Sequence, residues 1–341
     1  MASDSPHALF SAIAGLMGSM KRLLVVMLFT SVAARAQSDF PNWAERVVLE
    51  WINRARVDPQ VEMNACGAAC SERACYAATA PLMWSEQLNR SSRFHAAEMA
   101  KQQYFGHDSK CTVVNNIDLL FPSGCDGAAS CGCVGGSATC AGPGCTPWYG
   151  RVGLFGAAPS GEIIAGTGDP NFAFYLWLNE PSTGSDCAFG TENGHRYLIL
   201  TSAGAIGVGV TTQVVGDFGS GGTPYKIPSA AHYPQQAAAV DLWANWYDSA
   251  APRSANAIVD GRCMPLTLRR GTPQNGAWTA NVTNVGAGCH RYYFAFVDSS
   301  GATITYPATG SLGIGCADWD SSRVPASCGT VTSSRRRSAR H

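Results

Sequence analysis

The chain has 341 residues, of which 14% are charged and 46% hydrophobic, and its formal net charge is zero. This apolar fraction is typical of a globular protein and excludes general disorder. A neutral balance argues against a protein that binds nucleic acid through a basic surface. Residues 1–36 hold three Lys or Arg and one Asp, and the tail 331–341 holds four Arg. Removing both from the 24 of each sign leaves 17 basic and 23 acidic residues, so the remaining body is mildly acidic.

The first 36 residues are typical of a secretory signal. A basic pair at 21–22 precedes an apolar run from Leu23 to Ala34, which ends in the small-residue cleavage pattern A-x-A. The run is too short to span a bilayer core of about 30 Å as a helix, so the chain is not predicted to span a membrane. Met20, directly before the basic pair, is a more natural start for such a signal than Met1. We therefore expect a secreted, extracellular protein.

All cysteines follow this segment, and they indicate disulfides. They lie at positions 66, 70, 75, 111, 125, 131, 133, 140, 145, 187, 263, 289, 316 and 328. An even number in an exported chain favours disulfides, whereas a zinc or iron–sulfur site would need reduced thiols. Ten fall between 66 and 187 and four between 263 and 328, which supports two domains. For the last four, three pairings are open, and Cys263–Cys289 with Cys316–Cys328 is one of them.

Local patterns predict three helices in the first half of the chain. Apolar residues at helical spacing indicate helices over 43–57 and 85–104. Asp169 as N-cap and Pro170 as first helical residue predict a third helix, which runs to Pro181.

The rest of the chain is organised by glycine and by short apolar runs. Residues 205–212 alternate Gly with Ile and Val and are predicted to form a packed strand. By composition, 220–254 is a linker. Short alternating runs separated by turns predict a small antiparallel β-sandwich over 255–328. The basic tail 329–341 is predicted to be disordered.

Four polar residues are candidates for chemistry. His107 and His195 each follow a glycine at the edge of a predicted element, where a side chain can face a cleft. Glu162 and Glu180 are the acids of interest. Their spacing alone forms no recognised motif. The other histidines within the predicted body are interpreted as structural: His95, His232 and His290.

Seven pieces of sequence between residues 43 and 219 add a resemblance. They are INRARVDP (52–59), FHAAEMAKQQYFGHDS (94–109), GRVGLFGAAPSGEIIAG (150–166), WLNE (177–180), GHRYLIL (194–200), GVGV (207–210) and DFG (217–219). In this order they resemble the CAP superfamily of SCP-like domains, and its bacterial branch most. The resemblance implies an α+β protein: a three-layer α-β-α CAP sandwich over 37–219, with a Cys-rich insert at 111–145, followed by the β-sandwich domain.

The resemblance also implies a cleft that contains two histidines and two glutamates, which in some members hold a divalent metal. Carried over to this sequence, His107 and His195 would bind the metal, zinc or another divalent cation. Glu162 and Glu180 would complete the ligand-binding site. Without metal, the four groups could instead hydrogen-bond one another and stabilise the domain.

Two positions depart from the family. Ile163 replaces the Asn of the family's GEN piece, and Leu198 replaces the Asn that is usual in the bacterial branch.

Three functions remain open. The favoured one is a non-enzymatic extracellular module that binds a lipid, a sterol or a cell-surface component. A metal-dependent hydrolase would need an open cleft with a free Glu beside a metal-bound water. A wall or matrix interaction protein would need an exposed aromatic patch on the β-sandwich, for which Tyr292, Tyr293 and Phe294 are candidates. A serine mechanism through Ser109 and His107 is less favoured, because no oxyanion-hole signal accompanies them.

Overall fold

The computed structural model describes residues 40–110, 112–128, 145–326 and 328. It contains helices and several antiparallel sheets, which confirms the α+β class. The predicted signal, residues 111 and 129–144 of the Cys-rich insert, and the basic tail lie outside the described residues. Among the helices in the described ranges, none is long and apolar enough to cross a membrane.

Three of the helices in the described residues lie where the sequence patterns predict them, and four shorter ones were not predicted. The helices are α1 (Trp43–Val57), α2 (Pro59–Glu62), α3 (Glu86–Gln102), α4 (Ile117–Leu120), α5 (Trp148–Leu154), α6 (Pro170–Leu178) and α7 (Gly194–Thr201), with 3-10 turns at Met63–Ala69 and Arg73–Cys75. A capping box between Asn42 and Glu45 fixes the start of α1. Asp169 caps α6 as predicted, but the helix ends at Leu178, three residues before Pro181.

The first sheet has four strands: β1 (Met83–Trp84), β2 (Pro159–Ala165), β3 (Ala205–Val210) and β4 (Val214–Gly219). Their order in the sheet is β1-β3-β4-β2. Strand β1 is parallel to β3, and the other pairs are antiparallel. Buried side chains of α1, α6 and α7 pack with one face of this sheet. On the other face, Ala96 and Met99 of α3 pack with Ile164 and Val215. Helices therefore cover both faces, and β2 lies at an edge.

The glycines of β3 allow α3 to approach the sheet closely. A Cβ atom at Gly207 would lie 1.9 Å from the backbone nitrogen of Asn89, and one at Gly209 would lie 2.3 Å from that of Arg93. In return, the Asn89 side chain donates to the carbonyl of Val208 at 2.6 Å. The Gly–Val alternation therefore does more than form a strand, because it sets the distance between α3 and the sheet.

The second half of the chain forms two further sheets. The strands are β5 (Ala230–Tyr233), β6 (Ala239–Tyr247), β7 (Ser254–Val259), β8 (Arg262–Pro265), β9 (Thr267–Gly271), β10 (Asn275–Thr283), β11 (His290–Val297), β12 (Thr303–Tyr306), β13 (Ser311–Ile314) and β14 (Trp319–Asp320). One sheet has the order β5-β6-β10-β9 and the other β14-β13-β11-β7-β8, with β12 paired to β11. The indole of Trp246 stacks on Phe296 at a centroid distance of 5.3 Å, so the two sheets contact each other through their apolar faces.

Residues 220–254, predicted as a linker, contain the strands β5 and β6. Along β6 the buried residues are separated by exposed or half-buried ones over most of its length, which is the pattern of a strand with one face in the core. Composition suggested a linker because the stretch begins with the residues SGGTP (220–224), but the apolar alternation along β6 favours a strand. The three aromatic residues considered for an exposed patch are all buried: Tyr292, Tyr293 and Phe294.

Helix α1 also packs against the second half of the chain. Glu50 is fully buried there and accepts hydrogen bonds from the Ser229 hydroxyl at 2.7 Å and from the Asn245 amide at 2.8 Å. Beside it, the Arg54 guanidinium lies over Trp51 and Trp243, 3.9 Å and 4.9 Å from their ring centroids. The contact between α1 and β6 is therefore polar and aromatic rather than aliphatic.

Disulfides fasten both halves of the chain. They join Cys66 to Cys70, Cys75 to Cys187, Cys263 to Cys328, and Cys289 to Cys316. Cys125 and Cys145 are also disulfide-bonded. Each of the four pairs stays within one of the two groups that the sequence indicated. The pairing Cys263–Cys289 with Cys316–Cys328 is wrong, because the strands bring Cys263 to the C-terminal segment. These disulfides indicate an oxidising compartment.

Candidate functional site

His107 and Glu162 form the first of two histidine–glutamate pairs. The Nδ1 atom of His107 lies 2.9 Å from Oε1 of Glu162. Because a carboxylate only accepts hydrogen bonds, Nδ1 carries the proton and, in the neutral ring, Nε2 keeps its lone pair. The imidazole is 46% exposed, whereas the Glu162 side chain is 1% exposed. A buried carboxylate therefore orients a surface imidazole.

Arg151 of α5 forms a buried ion pair with Glu162. Its guanidinium is fully buried and donates to the second oxygen, Oε2, of Glu162. It also donates to the backbone carbonyl of His107 at 2.9 Å and to the Ser109 hydroxyl at 3.2 Å. Burial alone would raise the pKa of Glu162, but the Arg151 charge and the His107 hydrogen bond lower it to about 2. Glu162 is thus a fixed anion and a poor proton acceptor.

Asp217 lies opposite Glu162 in the β2–β4 register. It is fully buried, and the Ser92 hydroxyl of α3 donates to its Oδ2 at 2.9 Å. Burial and the neighbouring Glu162 charge raise the pKa of Asp217 well above its ordinary value. Asp217 therefore keeps a proton more readily than Glu162, whose carboxylate pairs with the Arg151 guanidinium.

His95 supports the same loop from α3. It is fully buried, with Nδ1 3.3 Å from Oε2 of Glu98 and Nε2 2.8 Å from the carbonyl of Gly106. The structural role predicted for it is confirmed, since the ring fastens the residue that precedes His107.

His195 and Glu180 form the second pair. Nδ1 of His195, in the first turn of α7, lies 2.6 Å from Oε2 of Glu180. The other oxygen, Oε1, accepts the backbone N–H of Arg196 at 3.0 Å. The imidazole is 34% exposed and the carboxylate 15%. As at His107, the hydrogen bond at Nδ1 leaves Nε2 as the free nitrogen of the ring.

Arg196 holds Glu180 through the backbone. Its buried guanidinium donates to the carbonyls of Leu178 and Glu180 at 2.8 and 2.6 Å, and Nε donates to Glu72 at 2.7 Å. These bonds satisfy carbonyls that are left without an intrahelical partner where α6 ends. A buried arginine therefore hydrogen-bonds to the glutamate, or to the backbone, of each histidine–glutamate pair.

Strand β2 carries Glu162 on one face and contacts α7, the helix that contains His195, on the other. Glu162 points toward α3 and α5, and its neighbour Gly161 points toward α7, because successive strand residues alternate. A Cβ atom at Gly161 would lie 2.6 Å from the Leu198 side chain, so α7 rests directly on β2. Leu198 and Ile163, the two departures from the family pattern, both belong to the apolar packing on this side of the sheet.

In the part of the chain that the structure describes, no three or more His, Cys, Asp or Glu side chains lie together so as to hold a metal ion. Both oxygens of Glu162 and of Glu180 already accept hydrogen bonds. The donor chemistry fits two imidazoles that offer Nε2, with the carboxylates as their hydrogen-bond partners, an arrangement common behind metal-binding histidines. It does not fit four direct ligands.

Exposed aromatic rings flank both histidines. Phe105 is 54% exposed and lies two residues before His107. Phe189 is 63% exposed, packs edge-on against Tyr197 at 5.6 Å, and lies 3.4 Å from the position of a Cβ atom on Gly194, next to His195. An exposed phenyl ring therefore lies close in the sequence to each histidine.

Sequence reasoning selected the four residues of the two pairs but missed those that fix them: Arg151, Arg196, Asp217 and Glu72. Arg151 lies in GRVG, Arg196 in GHR and Asp217 in DFG, so these short pieces contained the signal. A scan against protein-family models and a search of curated proteins found no match to this chain.

Proposed function

We propose that this chain is a secreted CAP-type protein that binds a small hydrophobic ligand, a lipid or a sterol, or a cell-surface component, without turnover. The binding surface comprises His107, His195 and the phenyl rings beside them. The observation that carries the proposal is that both oxygens of each glutamate already accept hydrogen bonds, one from the histidine and one from an arginine, so that neither carboxylate is left to activate water.

The low pKa of Glu162 supports binding over hydrolysis. A general base is most effective when its pKa lies near the working pH. A carboxylate with a pKa of about 2, buried against Arg151, accepts protons poorly at neutral pH. Glu180 is engaged by His195 and by the backbone N–H of Arg196. The hydrolase alternative would need one of these bonds to break.

The exposed rings support a hydrophobic ligand. Phe105 and Phe189 expose more than half of their surface although each lies within six residues of a buried, charged network. Aromatic side chains supply large apolar area with few rotatable bonds, so a ligand gains contact at low entropic cost.

A divalent cation belongs to the same proposal. His107 and His195 would bind it through Nε2, while Glu162 and Glu180 fix the ring orientations through Nδ1. The cation would supply positive charge for an anionic headgroup, and the residues of the chain would orient the ligand beside the phenyl rings.

The metal arm is tested by calorimetric zinc titration of the oxidised, metal-stripped protein and of a His107→Ala/His195→Ala variant. His290→Ala is the matched control, since its Nδ1 lies 2.7 Å from Asp260 in a similar pair away from the site. Saturable binding that only the double variant loses would support the cation site. Equal binding by all three proteins would refute it.

The ligand arm uses phosphatidylcholine vesicles with and without sterol, and a fluorescent fatty acid. Phe105→Ser/Phe189→Ser should reduce binding of these ligands. Tyr225→Ser is the control and should leave binding unchanged, since Tyr225 is another exposed aromatic residue, with 68% of its surface accessible. Zinc-dependent cleavage of an ester, peptide or glycan that Glu180→Gln abolishes would overturn the binding proposal in favour of a hydrolase.

A further inference from the structure

A groove lies where α1 meets the second half of the chain. Its volume is about 630 Å³, within the usual range of about 300–1,000 Å³ for small-molecule sites. It is lined by Trp43, Asp169, Tyr233, Pro234, Gln235, Gln236 and Asp318, together with Gly313, Gly315 and Cys316. We call it the Trp43 groove.

Two aromatic rings form one wall of the Trp43 groove. The rings of Trp43 and Tyr233 are nearly parallel, with an interplanar angle of 10° and a centroid distance of 6.3 Å. The indole N–H of Trp43 donates to the carbonyl of His232 at 2.8 Å, and Tyr233 packs edge-on against Trp51 at 5.7 Å. Both rings are only half-buried. Their orientation is fixed by these contacts, so the platform is rigid before any ligand binds.

The polar groups of the groove are fixed as well. Asp318 accepts the backbone N–H of Trp43 at 2.8 Å and lies 3.6 Å from the Arg46 guanidinium. Asp169 is held as the N-cap of α6. The Cys289–Cys316 disulfide fastens the opposite rim. Two carboxylates therefore stand beside the aromatic platform in set positions.

Gln235 and Gln236 are the other polar residues that line the Trp43 groove. Both are exposed, and each amide offers donors and an acceptor. Within the described part of the chain, the residues that line the groove include two Asp and no Lys or Arg. This charge disfavours an anionic ligand, whereas carboxylates and amides suit a ligand with many hydroxyl groups.

From this combination we infer that the Trp43 groove binds a neutral saccharide. The C–H face of a pyranose ring carries partial positive charge and stacks on the electron-rich faces of Trp43 and Tyr233. Its hydroxyls donate to Asp169 and Asp318 and exchange hydrogen bonds with the two glutamines. β-Linked hexoses suit this platform best, because their axial C–H bonds leave a flat apolar face. The site is separate from the proposed cation and lipid surface.

The test is calorimetric and fluorescence titration of the oxidised protein with cellohexaose, chitohexaose and mannohexaose. Stacking on Trp43 should perturb tryptophan emission. Gln235→Ala/Gln236→Ala changes only exposed side chains and should raise the Kd about tenfold, the effect of losing about two net hydrogen bonds. Trp43→Leu keeps apolar bulk but removes the platform, and it should weaken binding further.

Two controls separate this site from the rest of the surface. Tyr225→Ala, at an exposed aromatic residue outside the groove, and His107→Ala/His195→Ala should both bind saccharide like the wild type. The inference is overturned if none of the three saccharides binds, if binding is unchanged in the glutamine and tryptophan variants, or if heparin binds in preference to them. Loss of saccharide binding in the histidine variant would likewise overturn it.

Discussion

Replacing Glu50 by glutamine should stabilise the protein at neutral and alkaline pH. Glu50 is fully buried between α1 and β6, and desolvation by this burial raises its pKa from 4.5 to about 8, although Ser229, Asn245 and Arg54 oppose the shift. The unfolded chain therefore ionises Glu50 at a pH where the folded chain keeps it neutral. The free energy of unfolding contributed by this residue is fully present below pH 4.5 and is lost as the pH rises to about 8.

The magnitude follows from the two pKa values. Each tenfold difference in proton affinity corresponds to about 1.4 kcal/mol, so Glu50 should cost about 3 kcal/mol at pH 7 and about 5 kcal/mol above pH 8. In the Glu50→Gln variant both hydrogen bonds can be kept, because the new side-chain oxygen can accept from Asn245 and the new amide can donate to Ser229. The variant should therefore match the wild type near pH 4.5 and exceed its stability by these amounts at higher pH.

The assay is urea denaturation of both proteins at several values between pH 4.5 and 9, with the disulfides intact. Only the difference between variant and wild type is compared, so other titrating groups cancel. Glu50→Ala is the control, since it loses both hydrogen bonds and should be destabilised at pH 4.5, where the glutamine variant is not. A difference between glutamine variant and wild type that does not change with pH would refute the reasoning.

The remaining predictions concern the sheet, a buried histidine and the site. Gly207→Ala should destabilise the protein by about 3 kcal/mol or more, because α3 leaves no room for a Cβ atom. Gly153→Ala, at a position where nothing lies within 4 Å, should be neutral or slightly stabilising. The urea midpoints of the two variants are compared, and equal midpoints would contradict the close approach of α3 to β3. Burial lowers the pKa of His232 to about 4, so its contribution to stability should fall as the pH drops from 6.5 to 4. The free energy of unfolding of His232→Gln should therefore decrease less over this pH range than that of the wild type. Parallel plots of the free energy of unfolding against pH for the two proteins would count against this. Arg151→Met leaves Glu162 buried without its cationic partner and should lower the free energy of unfolding by about 3–5 kcal/mol, as measured by urea denaturation. The double variant Arg151→Met/Glu162→Gln should recover part of this stability. No recovery would mean that Arg151 acts through packing.

The amino-acid sequence by itself determined the local elements. Helix α1 begins and ends where its periodicity and caps predict, and α3 begins after Ser85. Helix caps, turn residues and apolar periods act over a few neighbouring residues, so they can be recognised in the sequence alone. The histidines and glutamates of the two pairs were also selected from the sequence, whereas a common site for all four was only an expectation from the resemblance to the CAP superfamily.

Only the tertiary structure decided what depends on residues far apart in the chain. Arg151 meets Glu162 because α5 packs beside β2, and Arg196 donates to the carbonyls of residues 178 and 180 because α7 brings it to the end of α6. The pairing of Cys263 with Cys328 likewise depends on where the last strands place the C-terminal segment. Such contacts have no local signature, since each is set by the packing of whole elements. For the same reason, the pKa values of Glu50 and Glu162 differ only in the folded protein. Burial raises the pKa of Glu50, whereas the guanidinium of Arg151 lowers that of Glu162.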